Sequence, residues 1–249
     1  GQHLHGGLIG FDKKAWKVEA ASAQSLSLSY VSKDMEEGFP GNLRVKMTYT
    51  LSEDNELSIA YEATTDKATV LNLSNHSYFN LSGNAKRDIL NQEVQIDASR
   101  LVAVNKVLIP TGVLAPVAGT PFDFTKPHVV GDRINDTSSE QIVLGGGYDH
   151  CWALDKPAGS YAKIATVHDS VSGRKMTVST DQPGVQFYTG NFLDGHLIGK
   201  YGVQITKRHG LCLETEHFPD SPNQPNFPST VLRPGEVYKT KTAYQFSVN

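Results

Sequence analysis

The sequence predicts an all-β fold, a large antiparallel β-sandwich, on three observations. Apolar and polar residues alternate with period two through most of the chain. Clusters of Gly, Pro, Asn, Asp and Ser interrupt that alternation at short intervals, and no amphipathic helix runs beyond two turns. Alternate residues of a strand share a face, so each such segment offers one side to a core and one to water. The pattern is clearest in Leu43, Val45, Met47, Tyr49 and Leu51, and it resumes in Leu57, Ile59 and Tyr61 after the turn-like Ser52-Glu-Asp-Asn55. Asn91–Asp97, Ala162–His168, Arg174–Thr180 and Thr242–Val248 read the same way, with turn signals at Asp169–Gly173 and Arg233–Glu236. No low-complexity linker or short-period repeat divides the chain, which predicts one domain over residues 1–249.

Composition narrows the function. The 249 residues carry a formal charge of -3 with 20% charged residues and no long run of one sign. That balance argues against a nucleic-acid-binding or membrane-binding surface. No apolar stretch approaches the roughly 20 residues that cross a bilayer. The opening Gly1-Gln-His-Leu-His-Gly-Gly7 lacks a basic-then-apolar leader. A cytoplasmic location is the expectation, or a periplasmic or secreted one had an upstream signal been removed. Cys151 and Cys212 are too few for a disulfide framework and fit no zinc spacing.

Five segments carry candidate chemistry. In Leu211-Cys-Leu-Glu-Thr-Glu216, period-two geometry sets Cys212, Glu214 and Glu216 opposite Leu211, Leu213 and Thr215, just before a loop dense in Pro, Asn and Gln. One glutamate in isolation is a surface acid; one leaving an apolar strand beside a rigid polar loop is placed to accept a proton from a sugar or similar polyol. In Val70–Leu81, a strand would set Leu71 and Leu73 toward a core and Asn72, Ser74 and His76 opposite. His76 titrates near neutrality by default, with a pKa of about 6.5, although a lone histidine is more often structural. Gly145-Gly-Gly-Tyr-Asp149-His leads into an apolar run, so Asp149 is either a turn residue capping its own backbone or a ligand. No lysine or helix follows those glycines, which removes a phosphate loop. In Gly184–Tyr188, Gln186 and Tyr188 share the face opposite Val185 and Phe187, suited to hydrogen-bonding hydroxyls or simply to water. Finally, His3 and His5 share a face if that segment is extended, but a metal site there lacks an identifiable third ligand.

These same segments carry a resemblance. Leu4-His-Gly-Gly7, Gly10–Lys13, Asn72–Leu81, Ile109–Gly112, Gly147–His150, Pro183–Phe192, Leu213–Thr215 and Asn223–Pro225 together resemble the galactose mutarotase (aldose 1-epimerase) family. The match is collinear over nearly the whole chain. The resemblance implies that family's β-supersandwich and an isomerase interconverting the α and β anomers of free hexoses such as galactose and glucose. It implies Glu214 as general base toward the anomeric hydroxyl, His76 as general acid toward the ring oxygen, and His5 as a second active-site histidine. Asp149 and Gln186 become ligands of substrate hydroxyls, with no metal or organic cofactor.

Ring opening removes a proton at one oxygen and delivers one to another, so it needs two groups of matched pKa. Glutamate and histidine meet that need when the site raises the carboxylate pKa. Two other readings use the same residues: a carbohydrate-binding protein without turnover, and a glycoside hydrolase with Asp149 and Glu214 as its two carboxylates. A sugar-phosphate epimerase would need an arginine cluster that the motifs lack. The family's usual pattern begins upstream of Leu4, with further strands and a sugar-binding Asn-Arg pair. The resemblance therefore implies either a partner segment or chain supplying those strands or a shortened relative with an incomplete site, beside the aldohexose substrate.

Overall fold

The computed structural model describes residues 2–248, and these are nearly all β. In chain order the strands are β1 (Lys17–Ala21), β2 (Ser25–Ser32), β3 (Leu43–Leu51), β4 (Glu56–Thr65), β5 (Thr69–Val70) and β6 (Glu93–Ile96). There follow β7 (Arg100–Val104), β8 (Pro110–Pro116), β9 (His128–Val129), the six-residue helix α1 (Glu140–Gly145), β10 (Asp149–Ala153), β11 (Ala162–Asp169) and β12 (Arg174–Thr180). The last are β13 (Gly184–Tyr188), β14 (Asp194–Ile198), β15 (Gln204–Thr206), β16 (Cys212–Glu216), β17 (Val231–Leu232) and β18 (Tyr238–Val248). The chain forms two compact units, residues 2–73 with Thr230–Thr242, and Ser74–Ser229 with 243–248.

The first unit is an antiparallel meander in the order β1-β2-β3-β4. The predicted Ser52–Asn55 turn closes β3 onto β4: Ser52 N–H donates to Glu56 O at 2.9 Å, and Asn55 takes φ 58°. Asparagine tolerates that left-handed conformation better than most residues. The inward alternation of β3 and β4 builds the core, where Leu43, Val45 and Ala63 pack with Leu71 and Leu232. Phe11, Trp16, Leu73 and Tyr238 cover this cluster. Each buried leucine or valine side chain among these contributes about 1.5–3 kcal/mol.

The second unit holds two sheets, one ordered β18-β12-β11-β6-β9 and one ordered β16-β13-β10-β7-β8. Alternation again decides what is buried. Val94, Val167, Met176 and Val178 of the first sheet are fully excluded from solvent, as are Trp152, Val185, Phe187 and Leu213 of the second. Tyr244 spans between them, its hydroxyl donating to Leu213 O at 2.9 Å. Phe124 does the same by another route: its carbonyl accepts from Ile96 N–H at 2.8 Å, while its ring meets Phe187 at 5.7 Å.

One expectation fails. Val70–Leu81 is not a strand beyond β5; residues 71–78 run outside any sheet, and Phe79 makes only an isolated bridge to Leu211. Its polar groups bond outside any ladder, some locally, as where Asn75 Oδ1 accepts from both the backbone N–H and the hydroxyl of Ser77. Others bond at a distance, as where the Ser74 hydroxyl donates to Thr215 O at 3.0 Å. Asn and Ser side chains compete with sheet ladders in this way, and period two cannot register the competition.

Candidate active site

The site grows from one face of the five-stranded sheet. Register pairs Glu214 with Gln186, Cys212 with Tyr188 and Glu216 with Gly184 across β16 and β13. It pairs Tyr188 with Asp149 and Gln186 with Cys151 across β13 and β10. Directly paired residues point to the same side, so Cys212, Glu214, Glu216, Gln186, Tyr188 and Asp149 share one face. The opposite face carries Leu213, Val185, Phe187 and Trp152, all in the core. The core side fixes the register, and the register delivers the polar side.

His76 comes from the irregular segment rather than the sheet. Its Nε2 lies 3.6 Å from Glu214 Oε1, and its Nδ1 lies 3.3 Å from Cys212 Sγ. The imidazole stacks on Tyr78 with ring centres 5.1 Å apart and meets the edge of Tyr188 at 6.1 Å. Both ring nitrogens therefore have a neighbour, and Tyr78 stacks on the ring. Nearby, Gln186 Nε2 donates to Asp149 Oδ1 at 2.9 Å. That bond sets the amide's orientation and leaves Gln186 Oε1 buried, with no hydrogen-bond partner among the described residues.

Burial pushes the Glu214 carboxyl up to about 8, and the negative charge of Asp149 adds to the shift. The side chain is only 12% exposed, against 34% for His76. Glu216 is raised well above the carboxylate range by burial and then by the charges of Glu214 and Asp149. The Cys212 thiol moves upward for the same reasons, so the sulfur stays protonated. A carboxyl poised near neutrality opposite an imidazole is equipped for general acid–base catalysis on a neutral, polar molecule.

Two loops hold this face in place. Arg208, buried, donates to Gly146 O at 2.8 Å, to Thr189 Oγ1 at 2.9 Å and to Asn191 Oδ1. Its guanidinium fills the space that a Cβ on Gly147 would need (2.6 Å). Gly147 thus makes room for an arginine, not for a phosphate. The loop after β16 is tied to β8, where Gln224 Nε2 donates to Pro110 O at 3.2 Å and Asn226 Nδ2 donates to Gly112 O at 2.8 Å.

The second unit brings together four predicted residues: Glu214, His76, Asp149 and Gln186. Asp149 begins β10 and is bound by Gln186. His5 belongs to the first unit, at φ 53° in a turn, so it and His3 are not the extended pair that a shared face requires. Sequence reading missed the contact of Cys212 with His76, because the two stand 136 positions apart. It also missed Arg208, whose only local signal is a lone arginine before His209-Gly210. Among the described residues, His76, Cys212 and Glu214 form a grouping of potential metal donors that spacing along the chain does not reveal.

Fold and site together are suited to acid–base chemistry on an all-β scaffold, and comparison with known proteins specifies the family. The sequence profile described as Aldose 1-epimerase matches residues 1–245, and this chain belongs to that family. Galactose mutarotase of Homo sapiens is 48% identical over 247 residues, covering 98% of this chain and 69% of the human protein. Aldose 1-epimerase of Escherichia coli strain K12 is 38% identical over 246 residues, covering 98% and 70%. Among solved structures, the aldose epimerase homologue of C. elegans superposes with a TM-score of 0.89 at 28% identity, covering 99% of this chain and 72% of that one. Galactose 1-epimerase of Lactobacillus acidophilus gives 0.84 at 28% identity, covering 99% and 70%.

Proposed function

We propose that this protein is an aldose 1-epimerase that interconverts the α and β anomers of free hexoses such as galactose and glucose. The observation that carries the reading is Glu214 Oε1 standing 3.6 Å from His76 Nε2 with its pKa lifted to about 8, in a chain of this family. The anomeric hydroxyl and the ring oxygen share one carbon, so an acid and a base near one another can serve both. Glu214 takes the proton from the anomeric hydroxyl while His76 protonates the ring oxygen, and the C1–O5 bond breaks to give the open aldehyde. Rotation about C1–C2 and reclosure with reversed proton roles give the other anomer, and each cycle returns both groups to their starting states. Positioned acid and base groups typically contribute about 10²–10⁴-fold.

Asp149 and Gln186 bind substrate hydroxyls. The buried acceptor Gln186 Oε1 suits this task, since a substrate O–H would satisfy a group that is costly to leave unpaired. Tyr78, 49% exposed, offers a flat apolar face to the C–H side of the ring. His5 supports the ring oxygen in this reading on the strength of the Leu4–Gly7 motif alone. A segment supplying further amino-terminal strands, with a sugar-binding arginine, belongs to the same proposal. The hydrolase reading is weaker, because the group at ion-pair distance from Glu214 is an imidazole and Asp149 is held by an amide.

Polarimetry of freshly dissolved α-D-galactose tests the reading. Rotation should decay far faster than in buffer at catalytic protein concentrations. Decay at the buffer rate with galactose still bound would mean a carbohydrate-binding protein instead.

A further inference from the structure

Acid–base chemistry on a sugar gives Cys212 no task, yet its sulfur touches the general acid. We propose that Cys212, His76 and Glu214 form a reversible zinc site that switches the enzyme off. One donor atom from each of the three side chains lies within 4.8 Å of the others. Tetrahedral zinc, with bonds of about 2.3 Å to sulfur and 2.0–2.2 Å to nitrogen and oxygen, separates its ligand atoms by about 3.3–3.6 Å. The observed separations are 3.3 Å for Sγ to Nδ1 and 3.6 Å for Oε1 to Nε2. A single ion takes one ring nitrogen, so only one of these two separations belongs to its shell. The remaining donor, up to 4.8 Å from the others, moves in by roughly 1–1.5 Å to close the set.

The donor chemistry selects the ion. Thiolate, imidazole and carboxylate suit zinc and its analogue cobalt, whereas magnesium prefers an all-oxygen shell. Binding releases the Cys212 proton to solvent, because the ligand is the thiolate. Three protein ligands leave a fourth position for water. The sulfur itself is buried, but the imidazole against it is one-third exposed and gives the ion its way in.

An ion held there uses the lone pairs that His76 and Glu214 need for proton transfer. Inhibition should therefore be complete, and saturating galactose should oppose it. This inhibitory consequence rests on the proposed roles of His76 and Glu214; the site itself rests on the donor geometry.

The experiment is a cobalt titration followed by absorbance, run beside a zinc titration of galactose mutarotation, on the full chain and on Cys212→Ser. Thiolate-to-cobalt charge-transfer absorption is expected in the parent and not in Cys212→Ser. The zinc concentration for half-inhibition, relative to each protein's own metal-free rate, should rise in the variant by at least the roughly 10- to 100-fold that losing even an outer-shell partner costs, and magnesium should do nothing. Identical cobalt spectra, no thiolate band in the parent, or equal zinc sensitivity would overturn the site. His76→Asn supplies a second loss of cobalt binding should the serine variant fold poorly. The two readouts separate the proposals: a cobalt band without mutarotation contradicts the epimerase reading alone, and mutarotation without the band contradicts the zinc site alone.

Discussion

Two ends of one sheet face show how the second unit divides its labour. At one end Val102, Cys151 and Ala153 are sealed under Phe218 and Phe227, with Leu114 against them. At the other end, on β10, β13 and β16, Glu214, Gln186 and Asp149 stay partly open beside an imidazole that comes from outside the sheet. Cys151 and Gln186 are direct register partners, so the boundary between the ends is one residue wide. The aromatic end is closed by the loop after β16, and Gly184 allows that closure: a Cβ there would meet Cys151 Sγ at 2.8 Å and Phe218 at 2.9 Å. Packing energy is gathered where nothing reacts. The carboxylate beside the imidazole stands at the open end, whereas Glu216, the register partner of Gly184, lies toward the sealed end with its carboxyl raised by burial.

This division can be broken one end at a time. His76→Asn should lower kcat/KM for galactose by about 10²–10⁴-fold while leaving thermal stability nearly unchanged, since the ring packs only at the open end. Phe227→Ala should do the reverse, costing about 3–5 kcal/mol in denaturant unfolding with kcat per folded molecule preserved. A loss of kcat as large as its loss of stability would show that the ends are coupled.

Glu214→Gln should sharpen the comparison through pH. The folded pKa of about 8 lies above the unfolded value of about 4.3. Folding therefore favours the protonated acid, and that contribution is complete below the unfolded value and lost as pH rises through the folded one. The amide does not titrate, so it should exceed the parent in stability by an amount growing between those values, on the order of a few kcal/mol at pH 9. Denaturant curves at pH 5 and pH 9 check it, and equal gaps at the two values would contradict a buried, raised carboxyl. The smallest effect belongs to Gln186→Ala, which removes one hydroxyl ligand and should raise KM about fivefold, ~1 kcal/mol.

Most of this was legible where the backbone is regular. Alternation located β3, β4, β11 and β12, and it set Gln186 and Glu214 on the polar sides of β13 and β16, because pleating ties side-chain direction to position. It failed at residues 71–78, where Asn and Ser side chains take over the work of a sheet ladder. It is silent on Gly147, whose reason is Arg208, more than 60 positions later, and no local pattern announces a partner at that distance. His76 was recognisable as a reactive residue, but its clamp between Tyr78, Cys212 and Glu214 exists only after the chain returns 136 residues on.

The most direct test of the central claim compares turnover with binding in Glu214→Gln. Polarimetry and calorimetry with galactose should show mutarotation reduced by at least about 10²-fold while the galactose Kd changes by less than about tenfold. Mutarotation surviving at the parent rate would contradict Glu214 as the base that opens the ring.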